Sequence, residues 1–144
     1  MEVKVIRHGS AEYEEMLQLR IKALLEPIGI PASYIIQEKE RKDILIGAFE
    51  AGSIIGCCVL TPGEDKVMQL RQMAVSPGLQ QKGIGAQIIR FAERITREKG
   101  FDTLMMHARD PVIGFYEKLG YHMVGEPFLE VGMGHRRMEK SIGG

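Results

Sequence analysis

The stretch Gln80-Gln81-Lys82-Gly83-Ile84-Gly85-Ala86 decides the fold, because it joins a strand-like run to a strongly amphipathic helical run. The strand-like run is Val67–Val75, and the helical run is Ile84–Lys99. Gly83 and Gly85 have no β-carbons, so a ligand can approach the backbone closely. The N–H groups of a first helical turn favour a phosphate or pyrophosphate. A glycine-rich turn that binds nothing has the same pattern, so the loop alone leaves both interpretations open.

Two common phosphate-binding patterns do not fit this loop. Gly78–Gly83 has the glycine spacing of a P-loop, but Ile84-Gly85 follows where a lysine and a serine or threonine are required. A Rossmann fingerprint would need a third glycine where Ile88 stands, and an opening strand–helix–strand unit. What the sequence does contain, from Gln80 to Gly85, is Gln-x-x-Gly-x-Gly.

The composition predicts one compact globular domain over residues 1–144, with 44% hydrophobic and 26% charged residues. The 19 basic and 19 acidic side chains cancel, so no broad field favours nucleic acid or an anionic membrane. Cys57 and Cys58 are adjacent and cannot pair with each other in ordinary disulfide geometry. The sequence has no apolar stretch long enough to span a bilayer and no signal-peptide pattern. We therefore expect a soluble cytoplasmic protein.

The first part of the chain is predicted to contain a strand and two helices. Met1–Arg7 alternates as a short strand, and Ser10 can cap a helix whose apolar stripe extends to Pro27. A second helix, rich in charge and weakly amphipathic, is predicted over Ala32–Lys42. The proline- and glycine-rich break between the two helices is either a simple connection or a wall of a substrate site.

The remaining elements give a predicted order of βααββββαβαββ, with the strand count open by one, which indicates the α+β class. An Ala51-Gly52 turn indicates a hairpin. Strands are predicted at Ile44–Glu50, Ser53–Thr61, Val67–Val75, Thr103–Ala108, Tyr121–Glu126 and Met133–Glu139, and a short helix from the cap Asp110 to about Leu119.

The strand before the glycine loop has an irregular pattern. Met68 and Leu70 share one phase of the two-residue period, whereas Met73 and Val75 share the other. A β-bulge produces such a slip, because one extra residue moves the later side chains to the opposite face. A strand that is buried on both faces gives the same pattern, so both explanations stay open. A bulge would turn backbone N–H groups away from the neighbouring strand and towards a ligand.

Several segments resemble the GNAT N-acetyltransferases. Gln80–Gly85 matches the acetyl-CoA loop pattern of that family, and Leu70–Pro77 is similar to the central strand that leads into the loop. Phe115–Tyr121 resembles the second signature, Phe-Tyr-x-Lys-x-Gly-Phe/Tyr. Glu130-x-Gly132-x-x-His135 and the segment Leu104–Arg109 resemble the small ElaA-like branch.

The resemblance implies a mixed, mostly antiparallel central sheet flanked by helices, with two central strands splayed to admit coenzyme A. It implies that backbone groups of Met73 and Val75 pair with pantetheine as with an added strand. The N–H groups of Gln81–Ala86 would hold the pyrophosphate of acetyl-CoA, the implied cosubstrate. The cofactor-binding residues that this implies are Met73, Ala74, Val75, Gln80, Gln81, Lys82, Gly83, Ile84, Gly85, Ala86, Phe115 and Lys118.

The resemblance also implies catalytic roles. A backbone N–H near Met73 would receive the developing oxyanion, and Tyr116 matches the general acid of the family. Tyr116 could otherwise be a core aromatic residue with a satisfied hydroxyl. Where many members carry an asparagine that touches the pantetheine arm, this chain has Arg109. That departure puts a contact between this side chain and the cofactor in doubt.

The general base is not singled out by the sequence. Glu130, His107 and His135 are all candidates for taking the proton of an ammonium substrate, and a water relay could replace them. The histidines and cysteines have no spacing typical of metal ligands, so we expect no metal site.

These features predict an acetyl-CoA-dependent N-acetyltransferase that acetylates a primary amine by direct attack in a ternary complex. The alternative is a non-catalytic CoA-binding or regulatory module of the same fold, which Arg109 and the unassigned base keep open. We expect no nucleic-acid or membrane partner, and a homodimer is a sensible expectation. The sequence does not identify the amine acceptor.

Overall fold

The computed structural model describes residues 1–143 and confirms the α+β class. Its strands are hydrogen-bonded in the order β1-β2-β3-β4-β5-β7-β6. The β4–β5 pair is parallel, and the β1–β2, β2–β3, β5–β7 and β6–β7 pairs are antiparallel. The elements are β1 (Glu2–Ile6), α1 (Ala11–Arg20), β2 (Ile44–Glu50), β3 (Ser53–Pro62), β4 (Val67–Val75), α2 (Ile84–Glu98), β5 (Thr103–Arg109), α3 (Ile113–Lys118), β6 (His122–Glu130) and β7 (Met133–Ser141).

The chain divides into two compact units. The first comprises Met1–Thr61 and Gln72–Ala92, and the second comprises residues 62–71 and 93–143 of the described chain. Both β4 and α2 begin in one unit and end in the other. The prediction of a single domain over residues 1–144 stays a prediction.

In the first unit, helix α1 is stabilised by a cap at its N-terminus and by an apolar stripe that packs into the core. The Ser10 hydroxyl oxygen accepts a hydrogen bond from the N–H of Tyr13 at 3.1 Å, which confirms the predicted cap. The stripe packs into a core that β1, β2, β3 and the end of β4 complete. This core contains Ile6, Tyr13, Met16, Leu17, Leu19, Leu45, Phe49, Cys57, Val59 and Ala74.

The segment after α1 differs from the prediction. The α-helical segment ends at Arg20. A π-helical turn, Ile21–Leu25, and a 3₁₀ turn, Glu26–Ile28, follow it directly. The predicted helix over Ala32–Lys42 is wrong, because the structure has only 3₁₀ turns at Ala32–Tyr34 and Gln37–Glu40. Between Ile30 and Lys42 Glu40 alone is buried, so no apolar face is available to stabilise a continuous helix. The predicted strand count before α2 is also one too high.

Buried thiols lie in β3, where Cys57 and Cys58 are both fully enclosed. Burial raises the pKa of the Cys57 thiol to about 12 and raises the pKa of Cys58 well above its ordinary value. Both side chains therefore remain neutral and pack as small apolar groups.

In the second unit, β5 is hydrogen-bonded to a strand on each side, β7 and the start of β4. It pairs with β7 from Thr103↔Ser141 to Arg109↔His135. It also pairs with the start of β4, but only from Val67↔Thr103 to Leu70↔Met106. The closing strands are longer than predicted, and the helix predicted from Asp110 begins as a 3₁₀ turn, Asp110–Val112, before α3. No helix among residues 1–143 is long and apolar enough to cross a membrane.

The start of α2 lies directly over β3 because β3 carries a glycine at that point. A β-carbon added to Gly56 would lie 2.6 Å from Ile88 Cδ1 and 3.2 Å from the carbonyl oxygen of Ala74. The Ile88 side chain is fully buried, so its terminal methyl group cannot swing into solvent. Gly56 therefore sets the distance between α2 and the sheet within the first unit.

We expect Gly56→Ala to lower the free energy of unfolding by about 1–3 kcal/mol, the usual cost of forcing a methyl group into a packed core. Urea denaturation followed by circular dichroism measures this change. Gly114→Ala is the matched control, because Gly114 lies in α3 with open space around its missing β-carbon. That variant should gain about 0.5–1 kcal/mol from helix propensity. An unchanged midpoint for Gly56→Ala would show that the packing at this glycine can relax.

Candidate active site

The strand before the glycine loop is interrupted at Gln72. Its φ is +52°, a left-handed conformation that non-glycine residues adopt at a cost, and it lies in the middle of β4. The ladder between β4 and β5 has already ended at Leu70. The irregularity predicted in this strand is therefore present. Burial does not change phase as predicted, because Met68, Leu70 and Ala74 are buried whereas Met73 and Val75 are half-buried.

The glycine loop combines left-handed residues with a helix terminus. Gln81 and Gly83 both have positive φ, at +65° and +81°. The N–H of Gln87 donates to the carbonyl oxygen of Gly83 at 3.2 Å, so the N–H groups of Ile84, Gly85 and Ala86 belong to the first turn of α2. Two left-handed residues separated by one other residue, directly before a helix, aim several backbone N–H groups at one point. This arrangement is suited to an anion.

Side chains around the loop divide into a bracing group and an exposed group. The Gln80 amide donates to the carbonyl oxygen of Val75 at 3.4 Å, which ties the loop back to the end of β4. Lys82 is exposed at the tip, where its ammonium contributes positive charge. Ile84 is buried and anchors the helix, whereas Gly85 and Ala86 are half-buried.

The second predicted signature lies on α3, in the second unit. Tyr116 is 5% exposed, and its ring packs edge-on against Phe115 and Tyr121 at centroid distances of 5.0 and 5.9 Å. Phe115 and Lys118 are on the exposed side of the same helix. The Tyr116 phenol therefore lies in an aromatic cluster, whereas the Phe115 ring and the Lys118 ammonium are accessible.

The three candidate bases come together in the second unit, in a group we call the His–Glu cluster: His107, Glu130 and His135. His107 Nδ1 lies 2.9 Å from Glu130 Oε1, and His135 Nε2 lies 3.6 Å from Glu130 Oε2. The Phe128 ring packs edge-on against His107 at 5.1 Å and stacks on His135 at 5.8 Å. The hairpin of β6 and β7 and the end of β5 thus hold both imidazoles beside one carboxylate.

The hydrogen bonds of the His–Glu cluster define which imidazole nitrogens carry protons. His135 Nδ1 lies 2.8 Å from the carbonyl oxygen of Met133, which can only accept, so Nδ1 donates. His107 Nδ1 likewise donates to the Glu130 carboxylate. In neutral His107, Nε2 then carries a lone pair, and this side chain is 33% exposed. A carboxylate that orients an imidazole in this way is the usual support of a general base.

Arg109, which stands where many GNAT members have asparagine, ends β5 opposite His135 in the ladder with β7. Its Nε is buried and has no hydrogen-bond partner among the described residues.

A second group of polar residues, which the sequence did not predict, lies together in the first unit: Arg20, Glu40 and Gln72. One signal was present in the sequence. Arg20 falls in the stripe of α1 that also carries Tyr13, Met16 and Leu17, and a charge there requires a buried partner. The identity of that partner depends on the fold.

A family model for the GNAT acetyltransferases matches residues 13–121. An uncharacterized N-acetyltransferase of Bacillus subtilis, YitI, is 28% identical over 99% of this chain and 97% of its own length. Escherichia coli ElaA superposes with a TM-score of 0.81 at 18% identity, over 97% of this chain and 99% of ElaA. A GNAT family acetyltransferase from Elizabethkingia anophelis, solved with acetyl-CoA bound, has a TM-score of 0.76 at 20% identity, and 97% of each chain is covered.

The fold and the two signatures therefore define an acetyltransferase. The chain belongs to the GNAT acetyltransferase family, and the prediction that it is an N-acetyltransferase is confirmed.

The tautomers inferred for the His–Glu cluster can be tested directly. We expect both His107 and His135 to carry a proton on Nδ1, since each Nδ1 faces an oxygen that only accepts. Long-range ¹H–¹⁵N correlation spectra of the imidazole rings identify the protonated nitrogen. In Glu130→Leu, which has no acceptor, His107 should lose its preference for this tautomer while His135 keeps it. An Nε2–H tautomer of His107 in the unmodified protein would contradict the geometry.

Proposed function

We propose that this protein is an acetyl-CoA-dependent N-acetyltransferase that acetylates a primary amine by direct attack in a ternary complex. The observation that carries the proposal is the backbone of the glycine loop. Left-handed Gln81 and Gly83 lead into the first turn of α2, an arrangement suited to a diphosphate. The family signature over the same residues supports acetyl-CoA as the ligand that contains this diphosphate.

The proposed grip on the cosubstrate has two parts. The N–H groups of residues 81–86 bind the pyrophosphate, with Gln80 bracing the loop and Lys82 adding charge. Backbone groups of Met73, Ala74 and Val75 pair with pantetheine in place of a neighbouring strand. Support for the second part comes from the β4–β5 ladder, which stops at Leu70 before the strand reaches these residues. Phe115 and Lys118, both exposed on α3, are proposed as further contacts.

The proposed reaction forms a C–N bond and breaks a C–S bond. His107 Nε2 takes a proton from the substrate ammonium, and Glu130 holds the imidazole in the required tautomer. The neutral amine attacks the thioester carbonyl, and a backbone N–H near Met73 stabilises the oxyanion, a contribution of about 3 kcal/mol. As the tetrahedral intermediate collapses, the C–S bond breaks and Tyr116 donates its proton to the departing thiolate. The attacking nitrogen then gives its second proton to the Tyr116 phenolate, so that the products are the neutral amide, the free thiol and a protonated His107.

His135 has a different proposed role. Its Nε2 and the Glu130 carboxylate both present acceptors, 3.6 Å apart, and a donor group can satisfy both at once. A substrate ammonium is such a donor, and the Phe128 ring between the imidazoles supplies an apolar face.

A cytoplasmic location and a homodimer remain proposals.

We expect acetyl-CoA to raise the melting temperature of the protein, and Gly85→Asp to abolish this shift. The carboxylate would occupy the phosphate position, while a negative charge at a helix N-terminus favours the helix itself, so the fold should persist. Differential scanning fluorimetry measures both effects. Gly85→Asn, of similar size but neutral, is the matched control and should keep part of the shift. A full shift in Gly85→Asp would place the diphosphate elsewhere.

The chemical step is tested by thiol release from acetyl-CoA over a panel of small amines, antibiotics, polyamines and peptides. With any acceptor that is turned over, Tyr116→Phe and His107→Gln should each lower kcat about a hundredfold or more, the usual contribution of an acid or a base. Neither should change the Kd of acetyl-CoA, because neither is assigned to the pyrophosphate. His122→Gln is the matched control for the histidine variant, since His122 lies at the exposed start of β6, and it should be active. Unchanged kcat in either test variant would remove that residue from the mechanism.

A further inference from the structure

A buried ion pair holds helix α1 to the segment that precedes β2. The Arg20 guanidinium is 1% exposed and the Glu40 side chain 5% exposed. Arg20 Nη1 and Nη2 donate to Glu40 Oε1 and Oε2 at 2.9 and 2.6 Å, which is the bidentate geometry of a strong pair. The Tyr13 hydroxyl donates to the same carboxylate at 2.7 Å. Burial, and then this hydrogen bond, raises the pKa of Tyr13 above its ordinary value, so the phenol remains a donor.

The same guanidinium reaches the irregular residue of β4. Arg20 Nε donates to Gln72 Oε1 at 3.2 Å. Gln72 is the residue of β4 with φ at +52°. The Cys57 thiol lies 3.8 Å from the Gln72 carbonyl oxygen, as a weak donor to the backbone of the same residue. Both the side chain and the carbonyl group of Gln72 are therefore held from within the first unit.

A left-handed glutamine inside a strand does not persist without support. The β-carbon of any residue other than glycine makes this conformation unfavourable, so the surrounding structure must hold it in place. An exposed arginine would lose conformational freedom in making such a bond, whereas Arg20 is already immobilised by Glu40. The fork of the guanidinium fixes the direction of Nε once both Nη atoms are paired. Gln72 thus meets a rigid, charged donor.

We propose that Arg20, held by Glu40, is a positioning residue that sets the backbone of β4 at Gln72 and thereby aims the N–H of Met73 at the thioester end of acetyl-CoA. The inference rests on the proposed function, since Met73 directly follows Gln72 and is the residue assigned to pantetheine and the oxyanion. Arg20 touches neither the cosubstrate nor the reacting atoms in this scheme. It acts through Gln72.

A purely structural role for the ion pair makes a different prediction. Buried ion pairs often add little stability compared with apolar residues of similar volume. If Arg20 only filled the core, changes at Gln72 that leave the pair intact would not affect the ligand. If it positions β4, those changes weaken binding of the pantetheine arm and spare the nucleotide part.

The test compares two ligands by isothermal titration calorimetry. Acetyl-CoA contains the pantetheine arm, and adenosine 3′,5′-bisphosphate is the nucleotide fragment without it. In Gln72→Met, which removes the acceptor and keeps the β-carbon, we expect the Kd of acetyl-CoA to rise about tenfold, the factor for one charge-assisted hydrogen bond. The Kd of the nucleotide should be unchanged. Gln69→Met, the same replacement in the regularly paired part of β4, is the matched control and should bind both ligands normally.

Gln72→Gly separates backbone geometry from the loss of the amide. Glycine adopts positive φ without penalty, so this variant should recover most of the acetyl-CoA affinity that Gln72→Met loses. Hydrogen exchange of the Met73 amide provides a second readout, and it should be altered in Gln72→Met and close to normal in Gln72→Gly.

The triple variant Tyr13→Phe/Arg20→Met/Glu40→Met removes the buried polar group as a unit. It should weaken acetyl-CoA binding to the extent that Gln72→Met does, and adding Gln72→Met to it should have no further effect. The variants at Gln72 alone leave the core pair in place, so they decide the question even if the triple variant does not fold.

Three results would overturn the inference. Normal acetyl-CoA affinity in Gln72→Met would show that the tether does not position the strand. An equal loss for both ligands would show a general structural defect. If the unmodified protein binds neither ligand, the proposed function fails, and the inference fails with it.

Discussion

The left-handed backbone at Gln72 is the constraint on which the candidate site depends. A regular strand would use its N–H and C=O groups in ladders on both sides, and nothing would remain for a ligand that binds as an added strand. The β4–β5 ladder stops at Leu70, and the irregular residue follows two positions later. The glycine loop then supplies a second set of backbone donors. The proposed contacts to the cosubstrate are therefore mostly made by main-chain groups, which explains why side-chain chemistry alone identifies so little of this site.

The two units carry different groups with candidate roles. The first carries the interrupted strand, the glycine loop and the buried pair that holds Gln72. The second carries Tyr116 in its aromatic cluster and the His–Glu cluster on the β6–β7 hairpin. In each unit a polar group is oriented by a hydrogen bond to a carboxylate: Arg20 by buried Glu40, and His107 by partly exposed Glu130. Preorganised groups of this kind cost little reorganisation when a reaction takes place.

The structure differs most from the sequence-based predictions where the chain lacks a strong local pattern. The helix predicted over Ala32–Lys42 does not form, because its side chains are almost all exposed, and Glu40 is placed by a distant arginine rather than by a helical stripe. The phase slip in β4 pointed to the correct strand. The predicted change of the buried face does not occur, because Met68, Leu70 and Ala74 are all buried. The irregularity is instead a change of backbone conformation at Gln72.

The sequence by itself determined the elements whose cause is local. Ser10 caps α1, Gly83 permits the positive φ directly before α2, and the apolar repeat of α2 requires only a helical period. Only the tertiary structure decided which polar groups meet. The joining of His107 to Glu130, and of Arg20 to Glu40 and Gln72, spans 20 to 52 positions of the chain. Arg20 meets Glu40 because a charge buried in a core requires a partner, and no local preference of the backbone records which partner that is. His107 and Glu130 are both partly exposed, and they meet because the pairing of β5, β7 and β6 brings their positions together.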